Sequence, residues 1–184
     1  MIEGYSGRRD KAAGTRINRA PSPVIARVVP WLTILFASLV PGWLVIASAP
    51  MLPPFGFLTY MAWKQMRPGL LPLWAGLPLG LFDDLFSGQP FGSAVLLWSF
   101  SAIAIDYFEE RFPWRNFAIE WLVATSLIIL YVLACYLLAN LVAAHAPVSV
   151  VVPQLVLSVF AYPLIGRLVG HFDRWRLIAF RVLR

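Results

Sequence analysis

The chain has 184 residues, 60% of them hydrophobic and 13% charged, including eight tryptophans and thirteen phenylalanines, and its mean hydropathy is +0.74. A soluble domain carries about 25% charged residues, so this composition excludes an ordinary water-soluble domain and points to a membrane protein. The formal net charge of +6 does not argue for nucleic acid, because most positive residues sit in short segments that flank apolar runs, where membrane topology and anionic lipid account for them.

Residues 1–27 hold Arg8, Arg9, Lys11, Arg16, Arg19 and Arg27 together with Gly4, Gly7, Gly14, Pro21 and Pro23. That mixture predicts a disordered, basic cytoplasmic tail able to touch anionic lipid. Six apolar runs follow. The first, Val28–Ala49, is long enough to span at about 1.5 Å per residue and contains Pro41, which predicts a kink. The second, Met51–Met66, is short and opens beside Pro50, Pro53 and Pro54. Charge decides whether it crosses. If it crosses, Lys64 and Arg67 return to the cytoplasm; if not, nine positive residues from Lys64 to Arg184 fall outside, against the rule that short cytoplasmic loops hold the Lys and Arg.

The third run, Leu70–Phe86, contains Pro72 and Pro78 and ends in Asp83 and Asp84. The fourth, Phe91–Phe108, follows after Ser87, Gly88, Gln89 and Pro90, which predicts a tight helical hairpin on the outer side. The fifth, Phe117–Ala144, is the longest, which predicts tilt. It holds Cys135, the single cysteine, for which packing is the expected role. The sixth, Val148–Val169, carries Pro153 and Pro163. Both termini are then cytoplasmic. Residues 171–184 read as a separate amphipathic tail helix, with Phe172, Trp175, Ile178, Ala179, Val182 and Leu183 on one face. Such a helix lies on the inner leaflet or docks a cytoplasmic partner through Phe172 and Trp175.

The segment Gly80–Gly92, GLFDDLFSGQPFG, is the densest signal. Carboxylates are costly in hydrocarbon, so Asp83 and Asp84 are expected to face the bundle interior, a wet cavity or the outer interface. Glycines 80, 88 and 92 allow close helix approach and a turn. Paired aspartates also bind metal in prenyl-transfer enzymes, but the other internal acids, Asp106, Glu109, Glu110 and Glu120, fall on the opposite side of the membrane. No metal, no cofactor and no catalytic residue is therefore assigned. His145 and His171 lie on opposite sides, and no nucleophile with a partner base or glycine-rich phosphate loop is present, so the chain is not read as an enzyme.

Gly80, Leu81, Asp84, Ser87, Gly88, Pro90, Phe91 and Gly92 resemble the motif of the MreD family, the integral membrane component of the bacterial rod-shape machinery. The length, six runs, basic amino terminus and Pro163 within AYPLIGRL are also similar, while Asp83 adds an acid beside the expected one. The resemblance implies an all-α membrane protein: a six-transmembrane-helix bundle in the bacterial inner membrane, similar in fold to the substrate-binding subunits of energy-coupling factor transporters. It implies a non-enzymatic scaffold for lateral peptidoglycan synthesis, working with an MreC-like protein and with MreB, RodA and a penicillin-binding protein. The alternative is a vitamin-binding transporter subunit with a pocket near the outer ends.

Small-residue pairs suggest where helices meet in lipid: Gly76 with Gly80, Ala139 with Ala143, and Gly166 with Gly170. Intramolecular packing is the plainer use of each, and Gly76 is kept as a partner contact. Trp31, Trp63, Tyr107 and Trp114 are expected as interfacial anchors.

Overall fold

A computed structural model of the chain describes residues 19–20, 23–44, 52–112, 116–142, 149, 151–177 and 181–182. Among them are six α-helices: α1 (Pro23–Leu44), α2 (Phe55–Met66), α3 (Gly76–Ser87), α4 (Ser93–Arg111), α5 (Phe117–Val142) and α6 (Val151–Arg176). A 3-10 turn at Leu73–Ala75 leads into α3. Three helices, α1, α5 and α6, are long and apolar enough to cross a membrane. Most of their surface is open, and large apolar side chains such as Phe36, Leu122, Leu141, Phe160 and Leu164 stand outward. A protein surrounded by water would bury such side chains, whereas one surrounded by lipid has no reason to.

Each apolar run corresponds to one helix, with shifted ends. The first begins at Pro23 instead of Val28, since proline is well placed in a first helical turn. The short second run is the most enclosed element of the molecule. Every residue from Gly56 to Gln65 is buried, and α2 packs against α1, α4, α5 and α6. Its twelve residues rise about 18 Å at about 1.5 Å each, less than the roughly 30 Å of hydrocarbon. A helix wrapped by others does not have to match the bilayer by itself. Phe57 stacks on Tyr131 of α5 at 4.0 Å, and Tyr60 stacks on Trp98 of α4 at 5.1 Å between ring centroids.

Two expectations near the chain ends are corrected. The helix expected to begin at residue 171 is the unbroken continuation of α6 as far as Arg176. Beyond it, Arg181 and Val182 are extended and pair antiparallel with Ala20 and Arg19. The inward face is also different from the one an apolar wheel selects: Asp173 and Arg176 are buried, Phe172 is half-buried and Trp175 is exposed. The remaining residues of the expected tails, 1–18, 21–22, 178–180 and 183–184, lie outside the described residues, as do Trp114, Ala143 and His145.

Charge pairing explains that inward face. Asp173 accepts from Arg67 Nη2 at 2.6 Å and from Arg176 Nε at 2.8 Å. The same carboxylate raises the Arg67 guanidinium above its ordinary value, first through the hydrogen bond and then through charge. Arg176 Nη1 also donates to the Ala26 carbonyl at 2.7 Å. That oxygen is free because Pro30, four residues later, has no N–H to offer it. The Arg176 guanidinium lies 5.5 Å from the centre of the Trp63 ring, a cation–π distance. Trp63 is accordingly no interfacial anchor; it is fully buried and donates to Thr33 Oγ1 of α1 at 2.9 Å.

Lys64 is 2% exposed and meets Asp106 of α4 at 2.7 Å. It also donates to the Leu71 carbonyl at 3.5 Å. These contacts gather the start of α1 and the ends of α2, α4 and α6 into one basic end. Because Asp106 is one-third exposed and Lys64 is not, the pair should respond unequally to mutation. Asp106→Asn strands a buried ammonium and should cost about 3 kcal/mol or more, whereas Lys64→Met leaves a carboxylate that water can reach and should cost less. Thermal unfolding in detergent checks the order; equal losses would contradict it.

Candidate functional site

The Gly80–Gly92 segment forms the opposite end of the bundle. Gly88 ends α3 with φ +67°, and Gly92 precedes α4 with φ +91°. Both values are left-handed, where a Cβ is strained, so these two positions require glycine. Pro90 turns the chain between them and accepts the Ser93 backbone N–H at 3.0 Å.

Asp84 closes the hairpin. It projects from the last turns of α3 onto the first turn of α4, where backbone N–H groups have no helical partner. Oδ2 accepts from the Gly92 N–H at 2.9 Å and the Val95 N–H at 3.3 Å. Oδ1 accepts from the Ala94 N–H at 2.9 Å and the Ser93 hydroxyl at 3.2 Å. A carboxylate suits this place because it offers several lone pairs and its charge is favourable at a helix N-terminus. With 5% exposure, Asp84 is a brace inside the protein and offers nothing to a partner directly.

Asp83 has a separate role from its neighbour. Successive residues project about 100° apart on a helix, so Asp83 faces α1 and α2 while Asp84 faces α4. It is buried, with Ser38 and Gly56 beside it. A Cβ on Gly56 would lie 2.9 Å from Asp83 Oδ1 and would collide with the Ser38 hydroxyl. Asp83 thus occupies the room left by the missing side chain. The two carboxylates do not converge, and no group of three or more His, Cys, Asp or Glu residues among the described ones could hold a metal ion.

Gly76 and Gly80 are taken up by α4. An added Cβ would meet Ser99 N at 3.0 Å from Gly76 and Ala94 O at 2.8 Å from Gly80. Gly76 therefore belongs to the α3–α4 contact, the intramolecular packing that was the plainer of its two expected uses. Gln89, which sequence reasoning did not single out, links the hairpin to α5: its Oε1 lies 3.1 Å from Cys135 Sγ and 3.4 Å from Ser93 Oγ. No pattern in the sequence signals that link, because it joins residues 46 positions apart.

With its base fixed in this way, the hairpin presents an open tip. Ser87 and Gly88 are exposed, and Leu85, Phe86 and Phe91 are 64%, 53% and 73% exposed. Of the other expected contact residues, Trp175 is exposed at the basic end and Phe172 packs partly against the core.

Asp84→Ala should lower stability by about 2 kcal/mol or more, because several α4 donors lose their acceptor together. Asp83→Asn keeps the brace and should cost less. Denaturant titration of the purified variants checks this; an Asp84→Ala protein as stable as the parent would contradict the bracing role.

No protein-family model, curated protein or solved structure matches this chain.

Proposed function

We propose that this protein is a six-span scaffold of the bacterial inner membrane, of the MreD type, that supports lateral wall synthesis by holding an MreC-like partner. The observation that carries the reading is the hairpin. The residues of the MreD-like motif act as one physical unit, in which Asp84, Gly88, Pro90 and Gly92 set the turn. Their combined effect is to hold Leu85, Phe86 and Phe91 outward.

The charge distribution supports the six-span orientation. Lys64, Arg67, Asp106, Asp173 and Arg176 meet at one end through direct contacts, and the pairing of Arg19–Ala20 with Arg181–Val182 brings the two flanks together. In the proposed orientation this basic end is cytoplasmic and the hairpin is periplasmic. A helix or extended segment of the MreC-like protein rests on the hairpin tip, covering apolar side chains near the interface. MreB, RodA and a penicillin-binding protein join through the wider complex.

The direct test is Phe91→Ser, which changes the tip and leaves the Asp84 brace intact. It should reduce co-purification of the MreC-like protein at least fivefold, at unchanged membrane abundance and thermal stability, and should give rounded cells. Full recovery of the partner and normal cell shape would contradict the reading; a nutrient requirement in normally shaped cells would favour a transporter subunit instead.

A further inference from the structure

A cavity of about 570 Å³ opens between α2, α5 and α6 at the basic end, within the about 300–1,000 Å³ typical of small-molecule sites. Its wall is apolar where Met66 and Trp121 line it, and Arg167 and Arg174 stand on its α6 side. These arginines are seven residues apart, close to two helical turns, so they share a face about 10 Å apart along the axis. Gly166 keeps the space open, since nothing lies within 4 Å of the place its Cβ would take.

The state of the charges selects the occupant. Arg67 and Arg176 are engaged with Asp173, and Lys64 with Asp106. Arg167 and Arg174 form no ion pair among the described residues and are both exposed. Glu120 is the carboxylate in the lining, and it is engaged in an interaction of its own. The cavity therefore joins two guanidinium groups that have no ion-pair partner among the described residues to a largely apolar slot. Guanidinium groups match phosphate oxygens in geometry as well as charge, and basic pockets between membrane helices on the cytoplasmic side suit anionic head groups.

We propose that this cavity binds an anionic phospholipid of the inner leaflet, with its phosphate between Arg167 and Arg174 and an acyl chain along Met66, Trp121 and Gly166. The site is separate from the hairpin and does not need its partner, while its assignment to the inner leaflet rests on the orientation proposed above.

Native mass spectrometry of the full chain, released from detergent containing equimolar phosphatidylglycerol and phosphatidylcholine, tests the proposal. The parent should retain phosphatidylglycerol at least fivefold over phosphatidylcholine. Arg167→Gln with Arg174→Gln should abolish that preference. Gly166→Leu, which keeps both charges and fills the slot, should reduce retention of both lipids without lowering thermal stability. Glycerophosphoglycerol, which has the phosphate and no acyl chains, should not compete at equal concentration. Equal retention of the two lipids by the parent, an unchanged preference in the double variant, full retention by Gly166→Leu, or displacement by the chainless headgroup would each overturn the proposal. So would a parent that binds neither lipid but captures an apolar helical peptide in the same cavity.

Discussion

Buried charge has to be met by opposite charge or by oriented backbone donors, and this constraint organises both ends of the molecule. At the basic end, Asp106 meets Lys64, and Asp173 joins Arg67 to Arg176. At the hairpin end, Asp84 is met by the first donors of α4. The arrangement lets a short helix, α2, lie at the centre of an apolar protein. Without these partners, Lys64 could not be buried and α2 could not end where it does. Helix packing between the two ends is then left to glycine contacts and aromatic stacking, which work in lipid because they rely on close approach.

The same constraint accounts for the spread of helix lengths. The peripheral helices α1, α5 and α6 leave most of their apolar surface outward and are long and apolar enough to span. The remaining helices are covered in part by their neighbours. α2 and α3 have twelve residues each, and α4 carries Asp106, Glu109, Glu110 and Arg111 in its final turns. A composition rule that treats every helix as an isolated apolar rod recognises the first group and passes over the second. Protein neighbours satisfy what lipid would otherwise have to accommodate.

Much of the layout was legible in the sequence, because six apolar runs separated by prolines, glycines and charges leave few choices for helix placement. The turn was legible at Gly88 and Gly92, whose identities follow from their backbone angles. The function of Asp84 was not: a carboxylate at a helix end suits a partner site as well as a neighbouring helix N-terminus, and only the position of α4 decides. The inward face of α6 was misread for a related reason. Counting apolar residues favours Phe172 and Trp175, but Asp173 and Arg176 neutralise one another and can be buried together. The bond from Arg176 to the Ala26 carbonyl could not be read at all, since it needs both a proline that frees the oxygen and a fold that brings residues 150 positions apart together.

The account depends on the hairpin and the basic end lying on opposite sides of the bilayer. In a Cys135→Ser background, Ser87→Cys and Arg111→Cys place single thiols at exposed positions at the two ends. A membrane-impermeant maleimide added to intact spheroplasts should label the cysteine at 87 and leave the one at 111 unlabelled until the membrane is opened. Labelling at 111 before the membrane is opened, or no labelling at 87, would contradict the arrangement and the scaffold role proposed from it.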